Sequence, residues 1–268
     1  MMGDRLLVYD QVSIGYRGVP VVENVSFSLA RGEILGIVGE SGSGKTTLLK
    51  AAMGLLGRDG GLYGGTIWYR DRKLTDMSER ELRGLCGPEL AMVFQDSQSA
   101  FCPVRTVGAQ MYEAVREHEK ISRNAFRERA EALLDRMGLK DSARVLSSYP
   151  FELSGGMIQR VGIASAMFLN PGILFADEPT SALDVTVQRQ VVDQMLGLRE
   201  DYGTAIVIVT HNLGVVSAMA DQILVLKDGK CVEYGTAEKV LKDPEDPYTR
   251  TLLEAVPRLK TGQKTNGI

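Results

Sequence analysis

The sequence has little cysteine and no excess of basic residues. Its 268 residues include three cysteines, Cys86, Cys102 and Cys231, which lie far apart and lack the spacing of a metal site. Sparse, unclustered cysteine is typical of a chain kept in a reduced cytosol. Lysine and arginine number 31 against 34 aspartates and glutamates. The chain therefore lacks the basic excess that nucleic-acid-binding proteins carry.

Long apolar segments are missing as well. No apolar run approaches the roughly 18 residues that a membrane-spanning helix needs. The opening residues MMGDR lack the apolar core of a signal peptide. We therefore expect a chain that does not itself cross a membrane. Its length is sufficient for a large core, in one or two compact units.

What the sequence does contain is a glycine-rich motif, GESGSGKT, at residues 39–46. It follows the apolar run Ile34–Val38, which is typical of a buried strand, and precedes helix formers at 47–53. In this order, backbone N–H groups and a helix N-terminus bind a polyphosphate. The motif predicts that Lys45 contacts the β- and γ-phosphates and that the Thr46 hydroxyl binds Mg²⁺. We expect nucleotide contacts from Gly39, Ser41, Gly42, Ser43, Gly44, Lys45, Thr46 and Thr47.

An antiparallel sheet is expected near the N-terminus. Residues 21–29 alternate in part and are rich in strand formers, and residues 64–69 indicate another strand entered through a glycine turn. Tyr16 lies in a glycine-flanked turn ahead of the phosphate loop. An exposed ring there would stack on an adenine face, whereas a buried ring would only pack. The local sequence by itself favours a packing role for Tyr16.

The middle of the chain has helical character. The short apolar run Ala91–Phe94 predicts a buried strand that ends at Gln95, and helix-forming stretches then continue to about residue 150. In the clearest stretch, residues 123–137, apolar side chains recur on one face, and Gly138 follows where a C-terminal cap belongs. This pattern predicts a helical insertion within an α/β domain.

A second glycine turn, LSGGM at residues 153–157, precedes another helix-forming segment. Free N–H groups at a helix start, together with a serine hydroxyl, favour an anion site. The candidate residues are Ser154, Gly155 and Gly156. Taken alone, however, the motif favours a capped helix without a ligand over an anion site.

Two further apolar runs each end in polar groups. Residues 173–178, ILFADE, end in two acids, and residues 205–211, AIVIVTH, end in a histidine. A carboxylate at the carboxyl end of a buried strand holds Mg²⁺ opposite a phosphate loop, which makes Asp177 the metal candidate. Glu178 points elsewhere and is a candidate for orienting or deprotonating the attacking water. His211 lies on the ligand-binding edge of an open α/β sheet, although a lone histidine also fits a structural role.

Taken together and in order, GESGSGKT, LSGGM, ILFADE, SALD and the histidine at 211 resemble the motifs of ATP-binding cassette (ABC) ATPases. The resemblance covers about residues 6–234. It implies an α/β fold: a P-loop NTPase (RecA-like) core with an N-terminal antiparallel β-subdomain and an inserted α-helical subdomain at about 96–158. It implies an ATPase domain at 1–235 and a C-terminal extension at 236–268.

The resemblance also implies roles for single residues. Tyr16 would stack on adenine, while Lys45 and Thr46 would hold phosphate and Mg²⁺. Asp177 would be the magnesium-side acid. The implied catalytic group is Glu178 as the catalytic carboxylate, His211 as the γ-phosphate switch and Gln95 as the sensor of metal and water.

Partners follow from the same resemblance. Ser154, Gly155 and Gly156 would bind the γ-phosphate of an ATP held by a second ABC ATPase subunit, either a copy or a homologous chain, in a head-to-tail dimer. Residues 181–184 would lie along that interface. The dimer would serve two transmembrane permease subunits at the cytoplasmic face of the membrane, with an extracytoplasmic solute-binding protein reached through the permease and no nucleic acid.

Finer details are similar to the cassettes of oligopeptide, dipeptide and nickel importers. They are FQD at 94–96 leading to Pro103, and DPYTR at 246–250 followed by LLEAVP at 252–257. The sequence departs from that pattern at Ser97, where proline is usual, and at residues 101–102, where Phe-Cys replaces Leu-Asn. Both departures fall where a cassette would touch its membrane subunit.

Some relatives carry a cysteine cluster for iron–sulfur in a longer tail. Here nothing after Cys231 is suited to ligate one, so we expect no such cluster.

Three classes of function are weighed against these motifs. An ABC ATPase of the chromosome type inserts long coiled coils between its two motifs, whereas Lys45 and Ser154 are only 109 positions apart. The translation type carries two cassettes, and this chain has one. A P-loop kinase leaves LSGGM beside ILFADE unexplained. The sequence therefore predicts the ATP-hydrolysing subunit of an importer for peptides, nickel or a related small solute.

Overall fold

The computed structural model describes residues 5–181 and 183–255. The strands, in chain order, are β1 (Arg5–Tyr16), β2 (Val19–Ala30), β3 (Ile34–Val38), β4 (Gly60–Tyr69), β5 (Arg72–Lys73), β6 (Leu90–Val93), β7 (Ile173–Asp177), β8 (Ala205–Val209), β9 (Gln222–Lys227) and β10 (Lys230–Thr236). They form two sheets, of four and six strands.

The helices surround and separate these sheets. They are α1 (Lys45–Ala52), α2 (Glu79–Leu85), α3 (Val107–Arg116), α4 (Arg123–Arg136), α5 (Ser142–Ser147), α6 (Gly155–Met167), α7 (Val185–Tyr202), α8 (Leu213–Met219), α9 (Ala237–Lys242) and α10 (Pro247–Glu254). Short 3₁₀ turns occur at Leu74–Asp76 and Pro150–Glu152. In the described ranges, no helix is long and apolar enough to cross a membrane.

The smaller sheet is antiparallel, with strand order β2-β1-β4-β5. Its long strands alternate in part between buried and exposed residues, as expected when one face of a sheet covers a core and the other meets water. Tyr16 is the last residue of β1 rather than part of the turn, which Arg17 and Gly18 form at positive φ. Our placement of Tyr16 in a turn was therefore wrong, because strand pairing with Val19 and Gly60 continues through it.

The larger sheet has the order β10-β9-β3-β8-β7-β6, and all its neighbours except β10 and β9 are parallel. Every residue of β3, β7 and β8 is buried. Continuous apolar runs are typical of parallel strands that are covered on both faces. Because β8 lies between β3 and β7, the carboxyl ends of all three strands meet at one edge of the sheet.

Helix α1 lies between the two sheets and shares one apolar core with them. Tyr9 of β1 joins the antiparallel sheet to this helix: its buried ring stacks on Phe27 at 4.3 Å between centroids, and its hydroxyl donates to the Leu48 carbonyl at 2.7 Å. The helix that follows the phosphate loop is thereby anchored to the N-terminal sheet.

Helices α3 to α6 enclose a separate apolar cluster, which also reaches the large sheet. The predicted helix at 123–137 is confirmed as α4, with Met137 as its C-terminal cap residue and Gly138 at φ 67°. Ser122 caps its start by accepting a hydrogen bond from the Ala125 N–H at 3.2 Å. Phe126, Ala130, Leu133 and Leu134 are buried as the periodicity predicts. The predicted α/β core, antiparallel sheet and helical insertion are all present.

Replacing Tyr9 with phenylalanine should lower the free energy of unfolding by about 1 kcal/mol, because it removes one buried hydrogen bond and keeps the stacked ring. Urea unfolding of the full chain measures this loss. The control is Tyr63→Phe, since Tyr63 is exposed and its hydroxyl accepts from the Gly18 N–H. Equal losses for the two variants would contradict a special anchoring role for Tyr9.

Candidate active site

The loop between β3 and α1 turns through three glycines at positive φ: Gly39, Gly42 and Gly44. A Cβ on Gly39 would lie 2.1 Å from the Leu226 carbonyl oxygen, and one on Gly44 would lie 2.7 Å from Val22. The loop therefore packs so closely on the sheet that side chains are excluded at these points. Such a backbone cradle leaves N–H groups free to face an anion.

Lys45 is the first residue of α1, and its side chain is buried. Its ammonium group donates to the carbonyl oxygens of Gly39 at 2.8 Å and Glu40 at 2.7 Å. Burial lowers the pKa of Lys45, and the carboxylates of Glu178 and Asp177 oppose that shift. A partly dehydrated cation at the end of a glycine loop is suited to bind phosphate oxygens.

Asp177 ends β7 and lies directly opposite the start of α1. The Thr46 hydroxyl donates to Asp177 Oδ1 at 2.9 Å. Burial raises the pKa of Asp177, and the hydrogen bond from Thr46 opposes this shift. A buried carboxylate beside a hydroxyl offers the oxygen ligands that Mg²⁺ prefers, and Gln95 adds an amide oxygen at the same cleft. These residues fit a magnesium ion.

Glu178 follows Asp177 and has a backbone φ of 47°, a value that residues other than glycine rarely adopt. Its carboxylate accepts from the Thr210 hydroxyl at 3.2 Å and from the His211 backbone N–H at 3.0 Å. The His211 ring nitrogen Nδ1 lies 2.8 Å from Glu178 Oε1. The ring itself is 68% exposed, so it remains accessible from the cleft. Rare backbone conformations such as that of Glu178 are found mostly at active sites.

These groups line one cleft of about 560 Å³. Its lining residues are Val21, Ser41, Gly42, Gly44, Lys45, Thr46, Thr47, Gln95, Asp177, Glu178, Val209 and His211. Gly39 and Ser43 lie behind this surface. Ser43 is buried, and within the described ranges its Oγ has no hydrogen-bond partner. An unpaired buried hydroxyl beside a glycine cradle fits a site for phosphate oxygens.

Tyr16 does not line this cleft. It is half-buried at the end of β1, and a Cβ on Gly60 would lie 2.7 Å from its ring. Because Gly60 has no side chain, the Tyr16 ring fits beside it. Adenine stacking by Tyr16 stays a prediction.

Ser154, Gly155 and Gly156 also lie away from the cleft of their own chain. Ser154 caps α6 by accepting from the Met157 N–H at 3.4 Å. Ser154 and Gly155 are exposed, and no atom outside its own helix turn approaches a Cβ built on Gly155. The helix start is thus capped and open to solvent at the same time.

The turn after Glu178 connects the acids to α7. Asp184 caps α7 by accepting from the N–H groups of Thr186 and Val187, both at 3.0 Å. Of the stretch 181–184, the residue at 182 lies outside the described residues. Gln188 donates to the carbonyls of Thr180 and Leu183 at 3.0 Å. Its other amide atom accepts from Asn212, so this turn and the histidine segment are linked.

Three residues of the site, Val21, Val209 and Thr210, escaped the sequence analysis. Val21 of β2 lines the cleft, and nothing in its surroundings in the sequence marks it. Thr210 holds the carboxylate of Glu178, and a polar residue at the end of an apolar strand was a signal for it. From the same strand end, the sequence pattern predicted only His211 as a site residue.

Replacing Asp177 with asparagine should stabilise the chain in the absence of Mg²⁺ and ATP. Burial raises the pKa of Asp177 in the folded state, so the folded chain binds the proton more tightly than the unfolded one. The free energy of unfolding therefore falls as the pH rises from the unfolded pKa through the folded pKa. Asp177→Asn should remove this part of the pH dependence in urea unfolding at pH 4 to 8.

The same variant should lose ATPase activity by more than about 100-fold, because it removes a charged ligand for Mg²⁺. Asp135→Asn is the control, since Asp135 is an exposed carboxylate on α4. A destabilised Asp177→Asn chain, or one with full activity, would contradict the assignment.

Comparison with known proteins identifies the family of this chain. The family model described as ABC transporter matches residues 22–181, and the model described as the C-terminal region of oligopeptide/dipeptide transporters matches 232–268. The second match runs beyond the described residues.

Curated relatives include the glutathione import ATP-binding protein GsiA of Escherichia coli (strain K12), 43% identical over 90% of this chain. The chain spans only 40% of the length of that relative. It is also 40% identical to the oligopeptide transport ATP-binding protein AmiE of Streptococcus pneumoniae, over 94% of this chain and 70% of the relative.

Among solved structures, the ATP-binding cassette MJ0796 superposes with a TM-score of 0.76 at 28% identity, over 86% of this chain and 98% of that one. It was solved as a dimer in a post-hydrolysis state with ADP and Pi. With a family model matching well over half of its residues, this chain belongs to the ABC transporter family, as an ATP-binding cassette.

Proposed function

We propose that this chain hydrolyses ATP with Mg²⁺ in the cleft between the phosphate loop and the ends of β7 and β8. The observation that carries the proposal is the pair of consecutive acids that face Lys45. Asp177 contacts Thr46, while Glu178 is held separately by Thr210 and His211. These separate contacts support the proposal that one carboxylate serves the metal and the next one serves water.

Each side chain then has one task in the reaction. The loop N–H groups and Lys45 bind the phosphates, and Thr46, Asp177 and Gln95 would hold Mg²⁺, which neutralises phosphate charge when bound. Glu178 orients a water molecule and accepts its proton as the water oxygen bonds to the γ-phosphorus. The bond to the β-phosphate oxygen breaks, giving ADP and inorganic phosphate. His211, which is fixed by Glu178, is placed to contact the γ-phosphate.

The transport role follows from the C-terminal match and the relatives. We assign the chain to an importer of peptides or a related small solute, because GsiA and AmiE are import or transport ATP-binding proteins and the C-terminal region matches that of oligopeptide/dipeptide transporters. Nickel is a second candidate for the transported solute, and only the sequence pattern supports it. These relatives give no support to action on nucleic acid.

We divide the chain as the sequence suggests: a cassette at 1–235, a helical subdomain at about 96–158 and an extension at 236–268. Helices α3 to α5 fall within the second range, and α9 and α10 fall within the third. Residues 1–4 and 256–268 lie outside the described part of the chain.

A second cassette is required to complete each site in this proposal. Ser154 and Gly155 are exposed and Gly156 is half-buried at the start of α6, and none of the three lines the cleft of its own chain. A second subunit, arranged head to tail, would bring them to the γ-phosphate bound at Lys45. The dimeric state of the related cassette MJ0796 supports this arrangement.

Replacing Glu178 with glutamine should abolish turnover and trap the closed dimer. The amide cannot accept the proton of the water, while the phosphate loop and Asp177 stay intact. Sedimentation with ATP and Mg²⁺, with and without the homologous partner chain, should show an ATP-dependent dimer for Glu178→Gln.

The matched control is Glu128→Gln, because Glu128 is an exposed acid on α4; this variant should turn over ATP and dimerise like the wild type. An ATP-bound Glu178→Gln chain that stays monomeric with the partner present would contradict the shared site, and full turnover would contradict the role of Glu178.

We also propose that the segment from Gln95 to Val107 receives a short helix of the permease. This segment borders a groove of about 520 Å³ between β6, α3 and α6, and Phe94 and Phe101 are among its lining residues. Ser97 is buried in the same groove, where its hydroxyl lies 2.9 Å from the position of a Cβ on Gly162. Cys102 is exposed. Its backbone N–H donates to the Gln110 amide oxygen, and its carbonyl accepts from the Gln110 amide nitrogen.

This docking would place the chain at the cytoplasmic face of the membrane. The two transmembrane subunits would hold it there, and the extracytoplasmic solute-binding protein would communicate with it only through them. The groove also adjoins Gln95, which lines the ATP cleft. Movement of the docked helix would therefore be transmitted to the ATP cleft by a short segment.

Replacing Phe101 with serine should reduce transport by more than about tenfold, since it removes an apolar anchor from the interface. ATP affinity should change less than twofold, because Phe101 does not line the ATP cleft. Reconstituted transport and ATP titration measure the two effects. Val104→Ser is the control within the same segment, as Val104 is exposed and outside the groove. Crosslinks from the permease to residues 21–29 instead of this segment would contradict the placement.

A further inference from the structure

Helix α10, which lies beyond the last strand, packs next to the phosphate loop. Tyr248 of this helix joins a small apolar cluster that includes Val38 and Val240. Val38 is the final residue of β3, so the loop begins at the next position. The C-terminal extension therefore contacts the point at which the chain leaves the sheet for the phosphate loop.

A single peptide group of the loop is held from both sides. The Glu40 N–H donates to the Tyr248 hydroxyl oxygen at 3.1 Å. The Gly39 carbonyl, in the same peptide group, accepts from the Lys45 ammonium at 2.8 Å. The N–H and C=O of a trans peptide point in opposite directions. Tyr248 on the outer side thus fixes the direction of the carbonyl that holds Lys45 on the inner side.

The Tyr248 side chain is itself fixed by its surroundings. Asp246 caps α10 by accepting from the Tyr248 N–H at 2.8 Å. The Glu233 carboxylate of β10 accepts from the N–H groups of Glu245 at 2.9 Å and Asp246 at 3.2 Å. The Lys227 ammonium lies 4.9 Å from the centre of the Tyr248 ring. The turn before α10 and the ring are therefore both tied to the edge of the large sheet.

We propose that Tyr248 is a positioning residue of the phosphate loop, through which the C-terminal extension sets the affinity for ATP. This inference rests on the proposed ATPase function. Tyr248 does not touch the nucleotide cleft; it orients the peptide between Gly39 and Glu40. Without the hydroxyl, the Glu40 N–H loses its partner, and the peptide is free to rotate and release the Lys45 ammonium from the Gly39 carbonyl.

The test compares two tyrosine-to-phenylalanine variants of the full chain. Tyr248→Phe keeps the ring and removes the hydrogen bond to the loop. Tyr234→Phe is the matched control, because the Tyr234 hydroxyl also bonds to backbone, donating to the Ser28 carbonyl at 3.0 Å and accepting from its N–H at 3.4 Å. We expect Tyr248→Phe to weaken ATP binding about three- to tenfold, as the loss of one hydrogen bond implies. Tyr234→Phe should leave the affinity for ATP unchanged.

Hydrogen exchange gives a second readout, since the Glu40 amide should exchange faster in Tyr248→Phe and not in Tyr234→Phe. Unchanged ATP affinity with unchanged exchange at Glu40, or equal affinity losses in the two variants, would overturn the inference.

A double-mutant cycle with Lys45→Ala separates this inference from the proposed function. If Tyr248 acts through the peptide that holds Lys45, Tyr248→Phe should add less than a twofold loss of ATP affinity in the Lys45→Ala background. A full, independent loss in that background would overturn the positioning role while leaving the ATPase proposal in place. Lys45→Ala alone with wild-type ATP affinity would overturn both.

Discussion

A buried ammonium group needs partners, and around Lys45 the chain supplies them from two separate segments, the glycine loop and the end of β7. Two loop carbonyls accept hydrogen bonds from the ammonium group. The carboxylates of Asp177, which ends β7, and of Glu178, which follows it, oppose the lowering of the Lys45 pKa by burial. Those carboxylates reach it because β7 and β3 flank β8 in one parallel sheet. The sheet order, the glycine loop and the consecutive acids are therefore parts of a single electrostatic arrangement. Bound phosphate would balance the charge of Lys45, and bound Mg²⁺ would balance the charge of the two carboxylates.

Much of this could be predicted from the sequence, because its strongest signals are local. The strands at Ile34–Val38 and Ile173–Asp177 are continuous apolar runs, and the glycine loop carries its own chemistry in eight consecutive residues. The side of the sheet on which Asp177 and His211 lie follows from the rule that ligands bind at the carboxyl ends of parallel strands. The family resemblance added the roles of single residues that no local pattern contains.

Other features depend on long-range packing and left no local trace. Glu178 and His211 are 33 positions apart, and their contact depends on a backbone conformation at Glu178 that a glutamate rarely adopts and that no local pattern predicts. The hydrogen bond between Glu40 and Tyr248 joins residues 208 positions apart. Tyr16 was placed in a turn because Gly15 and Gly18 flank it, yet pairing with two neighbouring strands extends β1 through it. In each case tertiary contacts decided the outcome.

The open start of α6 has a consequence in genetics. In the proposed dimer each chain contributes Lys45 to one ATP site and Ser154 to the other, so neither site belongs to one subunit. A chain damaged at Glu178 but able to bind ATP would still occupy a place beside a normal subunit and hold it in the closed state. Such an allele should act dominantly, whereas an allele that prevents folding should be recessive. In such a dimer, the position of one exposed serine would influence how defects in this protein are inherited.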